Sequence, residues 1–205
     1  MRKLIIISTY LIFGHFSNAQ QIGLSTGVYL SNKEVENDHV AGLNIGFVID
    51  SDQNKRFGFS GGLLYALFQS DRVHVQHTPY SIKRRTNALM IPISLKFNIL
   101  DPSYKTNSDI WLLGGVIGGS NISRNRLLKH EFTGEKSKTQ IEIQNRFLIG
   151  IRGGFELSNL GDKAAYAFGF NYDFYPNDIF EERNFSAFGI YFKISLLSKT
   201  KNKTP

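Results

Sequence analysis

The sequence contains no cysteine among its 205 residues. This absence excludes a disulfide framework, a thiolate metal site and a lipid-modified N-terminal cysteine. After the first residues there is also no run of about 18 apolar residues, so the rest of the chain has no candidate membrane-spanning helix. A chain of this kind can enter a membrane only as a closed barrel, because only helices and closed barrels satisfy every backbone polar group in hydrocarbon.

The first residues have the pattern of a secretory leader. Arg2 and Lys3 precede an apolar run at 4–13, and the segment ends on a small residue, Ala19. A basic start, a short apolar centre and a small residue at the junction are typical of a signal peptide, whereas about ten apolar residues are too few to span a bilayer. We therefore predict a signal peptide at 1–19, with an uncleaved N-terminal anchor as the alternative.

The clearest structural pattern is the segment 88–100, ALMIPISLKFNIL, where apolar and polar residues alternate. Successive side chains of a strand point to opposite sides of the sheet. One side of this strand would carry Leu89, Ile91, Ile93, Leu95, Phe97 and Ile99, and the other Met90, Pro92, Ser94, Lys96 and Asn98. A strand of about 11 residues is long for a globular protein but suits a tilted strand that crosses a bilayer.

Seven further segments follow the same pattern. The eight predicted strands lie at 21–30, 40–50, 56–68, 87–100, 109–120, 143–157, 164–175 and 184–197. The fifth, IWLLGGVIGG, alternates poorly, so its facing stays open. The connections at one end are predicted at 31–39, 69–86, 121–142 and 176–183, and the shorter ones at the other end at 51–55, 101–108 and 158–163. Long loops at one end and short turns at the other are typical of an outer-membrane barrel.

The polar faces favour a barrel in lipid over a soluble, lipocalin-like barrel. A soluble barrel would expose that face to water and carry many Lys and Glu side chains. Here Gly, Ala, Ser and Asn dominate it, which suits the interior of a narrow barrel. We predict an all-β, eight-stranded antiparallel transmembrane β-barrel over 20–198, with long extracellular loops, short periplasmic turns and a basic polar tail at 199–205.

The segments IPISLKFN and FGIYFKISL resemble the PorT-like family of small bacterial outer-membrane β-barrels, whose members often carry a strand of the type IP-x-x-x-K-[YF]. The resemblance implies location in the outer membrane of a Gram-negative cell envelope and supplies no catalytic residues. One departure concerns assembly, since barrel chains commonly end on an aromatic residue, whereas here Leu197 is followed by SKTKNKTP.

Four charged residues fall on the inward faces of their strands at similar predicted heights: Lys96, Arg152, Glu156 and Lys193. Charges removed from water are tolerated only when they are paired. We therefore predict a buried polar network that closes the lumen, with a proton or ion relay as the alternative. A solute pore is not expected, because an eight-stranded barrel is filled by its own side chains.

The formal net charge of +7 is concentrated in two predicted outer loops. These basic residues are Arg72, Lys83, Arg84 and Arg85 in one loop, and Arg124, Arg126, Lys129, Lys136 and Lys138 in the next. Phosphates of lipopolysaccharide are natural counter-ions for such side chains, and a solvated loop surface is the alternative. No nucleic-acid-binding fold accompanies the charge, so we expect no nucleic-acid partner.

The histidines do not indicate chemistry. His74 and His77 are three residues apart in a predicted loop and lack a third ligand, so we predict no metal site and no cofactor. Neither they nor His39 and His130 lie in a hydrolase signature, and no catalytic residue is predicted. The expected function is a structural or interaction role in the outer membrane, in contact with lipid, lipopolysaccharide, surface polymer or other envelope proteins. An accessory component of an envelope secretion or assembly machine is the alternative.

Overall fold

A computed structural model describes residues 19–33, 38–51, 56–70, 73–100, 108–143, 146–161, 164–176 and 185–197. The predicted signal peptide, apart from Ala19, and the predicted tail at 199–205 lie outside the described residues, as does Arg72. Within the described residues no helix is long and apolar enough to cross a membrane.

The described chain is all strand and turn. The strands are β1 (Ala19–Lys33), β2 (Asp38–Ser51), β3 (Phe57–Ser70), β4 (Val73–His74), β5 (Tyr80–Asn98), β6 (Ser108–His130), β7 (Lys136–Gln140), β8 (Phe147–Leu160), β9 (Ala164–Tyr175) and β10 (Phe185–Leu197). Eight of them are long, and β4 and β7 are short additions to β5 and β6.

The eight long strands form a closed antiparallel barrel. Their order around the wall is β1, β2, β3, β5, β6, β8, β9, β10, and β10 pairs back onto β1. The closing pair runs in unbroken register from Gln21 opposite Leu197 to Leu30 opposite Phe188. Both described chain ends therefore lie at one end of the barrel, the terminal end, together with the connections after β2, β5 and β8. The opposite end is called the loop end.

The burial of side chains is the inverse of that in a water-soluble protein. Outward aliphatic and aromatic side chains are exposed, for example Phe47 at 63% and Leu95 at 69%. Inward polar and charged side chains are buried, for example Lys96 at 2% and Glu156 at 1%. Apolar surface is driven out of water by about 25 cal/mol per Å², so this outer surface requires hydrocarbon. The protein is a transmembrane barrel, and the lipocalin-like alternative, with its apolar face inside, is wrong.

The fifth predicted strand, 109–120, forms part of β6, and its inward and outward faces are distinct. Trp111, Leu113 and Ile117 point inward and are buried, whereas Leu112 and Val116 point outward. The sequence alternation was weak because glycines occupy both faces of this segment of β6.

Two predicted loops are wrong in extent. Residues 80–86 belong to β5, and residues 121–130 belong to β6; the two strands stay paired up to Tyr80 opposite His130. A bulge at Ile122 shifts this register between Asn87 and Ala88. The part that projects beyond the barrel wall is called the extension. It consists of β4, β7, residues 80–87 of β5 and residues 123–130 of β6. The first predicted loop, 31–39, is also shorter, because β1 runs to Lys33 and β2 begins at Asp38.

Candidate functional site

A ring of four charged side chains occupies the lumen. Asp50 lies on β2, Lys96 on β5, Glu156 on β8 and Lys193 on β10. These are every second strand of the eight-stranded wall. Inward side chains from alternate strands of such a barrel meet at one level, and here the charges around that level alternate in sign.

The four charges form a closed set of ion pairs. Glu156 accepts hydrogen bonds from Lys96 Nζ to Oε1 at 2.5 Å and from Lys193 Nζ to Oε2 at 2.8 Å. Lys193 Nζ is also 2.6 Å from Asp50 Oδ2, and Lys96 Nζ is 3.8 Å from Asp50 Oδ1. Two positive and two negative groups cancel, which is the condition under which buried charges are tolerated.

Aromatic side chains hold the ring from both sides. Tyr191 donates a hydrogen bond from its hydroxyl to Glu156 Oε2 at 2.9 Å. On the terminal side, Lys96 Nζ lies 4.9 Å from the centre of the Trp111 ring, a cation–π distance. Gly169 leaves the space that the Tyr191 ring occupies, since a Cβ there would overlap the ring atoms. The four charged side chains are therefore surrounded by fixed protein groups rather than by bulk water.

A separate ion pair, outside the charge ring, lies closer to the loop end. Arg152 on β8 is in register with Asp173 on β9. Its Nε donates to Asp173 Oδ1 and its Nη2 to Asp173 Oδ2, each at 2.7 Å, a bidentate geometry. Nη2 also donates to the Tyr29 hydroxyl at 2.9 Å. A cavity of about 50 Å³, with room for a few water molecules, is lined by Arg152 as well as Glu156 and Lys193.

Four aromatic side chains pack together in the lumen toward the loop end. The rings of Tyr29 and Phe68 are 5.5 Å apart, those of Phe68 and Phe185 are 5.8 Å apart, and those of Tyr175 and Phe185 are 5.8 Å apart. All four side chains are almost completely buried. This aromatic plug covers the charges on one side, and Trp111 covers them on the other. The described interior therefore offers no continuous aqueous path.

The structure brings together three of the four residues of the predicted network. Lys96, Glu156 and Lys193 meet in the ring, whereas Arg152 forms its own pair. The predicted network did not include Asp50 or Asp173, which supply the missing negative charges. Charge balance could have identified both, since three inward cations against Glu156 alone would leave two positive charges uncompensated.

The predicted basic loop residues lie mostly on strands of the extension. Lys83, Arg84 and Arg85 are on β5, and Arg124, Arg126 and Lys129 are on β6, while Lys136 and Lys138 are on β7. Arg124 is only 2% exposed, so its assignment to a basic surface is wrong. Both faces of the extension carry cations outside the lipid, so these segments lack the alternation of apolar and polar residues that predicts a strand.

The histidines are spread over turns and strand ends. His74 lies in β4, and His77 lies in the following turn with a φ of 60°. His130 ends β6 and packs edge-on against Tyr80 at a ring distance of 4.9 Å. In the described part of the chain no group of three His, Cys, Asp or Glu side chains is placed to hold a metal ion. The absence of a metal site and of catalysis stays a prediction.

No protein-family model matches the chain. No curated protein matches it either. Several solved structures align with it at low sequence identity. Neisserial surface protein A (NspA) aligns with a TM-score of 0.46 and 8% identity, covering 87% of this chain and 96% of NspA. Ail, the attachment invasion locus protein of Yersinia pestis, aligns with a TM-score of 0.42 and 14% identity, covering 87% of this chain and 98% of Ail.

The translocator domain of the autotransporter NalP from Neisseria meningitidis aligns with a TM-score of 0.34 and 9% identity, covering 92% of this chain and 91% of that domain. None of the three exceeds a TM-score of 0.46 or 14% identity. The eight-stranded barrel is therefore established by the strand pairing of this chain, and the likeness says nothing about its function. The PorT-like resemblance has no matching family model and stays a prediction.

Proposed function

We propose that the protein is an outer-membrane barrel with an interaction role, carried by the extension at an extracellular loop end. The observation that carries this proposal is the combination of a closed lumen with strands that continue past the membrane. β5 runs nine residues beyond Leu89, the last of its outward apolar side chains, to Tyr80. At about 3.4 Å per residue and a tilt of about 40°, this is a height of roughly 23 Å.

The orientation follows from the connections. Bacterial barrels have short periplasmic turns and longer extracellular loops. At the terminal end β8 and β9 are separated by three residues, whereas at the loop end sixteen residues, including β7, separate β6 from β8. The extension therefore faces outward from the cell, where lipopolysaccharide, surface polymer and other envelope proteins are available partners.

The tip of the extension supports a binding role. The His130 ring makes edge-on contacts with the Tyr80 ring at 4.9 Å and with the Phe132 ring at 6.1 Å, and Phe132 is 86% exposed. Exposed aromatic groups held beyond the membrane contribute nothing to a core and are typical of contact surfaces.

The test is a trimmed variant in which 73–83 and 126–140 are each replaced by a short Gly-Ser linker. Fractionation of the envelope and gel electrophoresis with and without boiling report location and folding. We expect both proteins to give a heat-modifiable band in the outer-membrane fraction, and only the full chain to bind purified lipopolysaccharide or surface polymer. Equal binding by the trimmed variant would refute the role of the extension, and a soluble protein without a heat shift would refute the location.

A second candidate function is an accessory component of an envelope secretion or assembly machine. The two segments that resemble the PorT-like family supply Lys96 and Lys193, which meet in one ring through Glu156. This candidate predicts a secretion defect on gene deletion and a stable complex with other envelope proteins on a native gel. Normal secretion in the deletion strain would exclude it.

A further inference from the structure

We propose that the outward face of the extension binds the phosphate groups of glycolipids in the surrounding leaflet. The proposal rests on the interaction role above and commits it to one ligand chemistry. This outward face is called the cationic face, and its basic residues are Lys83, Arg85, Lys129, Lys136 and Lys138.

The cationic face continues the lipid-facing surface of β5 without a break. The outward side chains are apolar from Ile99, the residue after β5, up to Leu89, and the same face of β5 then carries Asn87, Arg85 and Lys83. β5 has no bulge in this region, because the extra residue at the register shift is Ile122 on β6. Thr86, the residue between Asn87 and Arg85, is buried on the lumen side. Inward and outward side chains of β5 therefore keep alternating where the outward face changes from apolar to polar, and Arg85 points the same way as Leu89.

The strand register brings the other cations onto this face. Directly opposed residues of an antiparallel pair point to the same side of a sheet. Lys83 is opposite Leu127, which is opposite Lys138. Lys129 is opposite Lys136 in a neighbouring row. Three strands thus present their positive side chains together.

The heights agree with the position of lipid headgroups. From Ile99, the residue after β5, to Leu89 the apolar face spans about 26 Å along the membrane normal, close to the apolar band of about 25 Å in known barrels. Arg85 lies roughly 10 Å above Leu89, and headgroup layers are about 5–8 Å thick. Long basic side chains at this level reach back toward the interface.

The charge of the face has little compensation. The strands of the extension contain no acidic residue at 80–87, 123–130 or 136–140. The turn at 131–135 contributes Glu131 and Glu135. Glu131 Oε2 is 3.9 Å from Lys129 Nζ, and the side chains of Glu131 and Lys129 are about one-third exposed. Arginine and lysine bind phosphate through charge-assisted hydrogen bonds. A lipid is the favoured source of phosphate because the face is continuous with a surface that already contacts acyl chains.

The same two strands offer a control of equal charge. Arg84 and Arg126 are opposite one another, and their side chains lie on the other face of the extension. Lys83→Gln/Arg85→Gln and Arg84→Gln/Arg126→Gln each remove two positive charges at the same height. Only the first pair alters the cationic face.

The experiment measures binding of phosphorylated lipid A to the full mature chain in mixed micelles, with dephosphorylated lipid A as a second probe. Removal of two phosphate contacts in a solvated setting corresponds to about a tenfold loss of affinity. We expect that loss for Lys83→Gln/Arg85→Gln, a change below about twofold for Arg84→Gln/Arg126→Gln, and weaker binding of dephosphorylated lipid A by the unmodified protein. If Lys83→Gln/Arg85→Gln does not fold, Lys136→Gln/Lys138→Gln on the fully exposed β7 replaces it.

Equal losses for both pairs, no loss for the outward pair, or equal affinity for the two lipids would overturn the proposal. Displacement of lipid A by a soluble phosphorylated glycan at equal concentration would overturn the choice of a lipid. These failures leave the interaction role intact if the trimmed variant still loses binding of surface polymer. Retention of every interaction by the trimmed variant would instead remove the role on which the proposal rests.

Discussion

The neutralisation of Glu156 gives the sharpest test of the charge ring. Glu156→Gln keeps the side-chain volume but removes one negative charge that two lysines share at 2.5 Å and 2.8 Å. Asp50 alone would then face both cations, leaving one positive charge uncompensated among groups that are at most 3% exposed. Removal of one partner from a buried ion pair costs about 3–5 kcal/mol.

The assay is urea unfolding in detergent micelles, with the folded fraction measured by the heat-modifiable band. With a denaturant dependence of about 2 kcal/mol per M, the expected loss lowers the midpoint by roughly 1.5–2.5 M. The matched control is Glu142→Gln, because Glu142 is exposed outside the lumen. We expect that variant to stay within about 0.5 kcal/mol of the unmodified protein.

A second substitution separates charge imbalance from lost packing. Glu156→Gln/Lys193→Met leaves Asp50 and Lys96 as a neutral pair, so at least half of the lost stability should return. A loss below about 1 kcal/mol for Glu156→Gln, or a double variant less stable than the sum of the single ones, would refute the reasoning.

Three further predictions use other parts of the barrel. Asp173→Asn should destabilise the protein by about 3 kcal/mol because Arg152 loses its bidentate partner, and Arg152→Met in the same chain should restore part of this in the same urea titration. Gly169→Ala should displace the Tyr191 ring and cost about 1–3 kcal/mol, and an unchanged midpoint would contradict the packing described. Ile93→Lys, near the middle of the lipid-facing stripe, should cost about 2–4 kcal/mol for folding into vesicles, whereas a water-exposed site would tolerate it.

The membrane wall was predictable because its two faces contact different environments. Alternation at 88–100 identified the inward and outward faces of β5, and the same pattern placed all eight wall strands. The same alternation predicted that three charged side chains face inward, and the number of residues from the strand ends placed them at similar heights; these are Lys96, Glu156 and Lys193. The barrel architecture therefore rests on a physical contrast that is visible in one sequence.

The extension, the bulge at Ile122 and the partner of Arg152 were not predictable, because no contrast between two environments marks them in the sequence. The segments YSIKRRT and SRNRLLKH carry cations on both faces because water surrounds the extension, so they read as loops although they are paired strand. The bulge at Ile122 changes register by one residue, and no local sequence feature marks it. The height of Arg152 in the barrel was not enough to predict its partner. Asp173 lies opposite Arg152 because of the pairing register of β8 and β9, which the sequence does not show.

The placement of the charge ring on every second strand has a consequence for assembly. Asp50 belongs to the second strand of the wall and Lys193 to the last, and these two strands lie on either side of β1. Their 2.6 Å contact therefore spans the seam between β1 and β10, and it exists only when the sheet has closed. An open sheet would present unpaired lumen charges to hydrocarbon, which is costly. Closure and insertion are thereby coupled, and the chain should enter the bilayer as a completed cylinder rather than strand by strand.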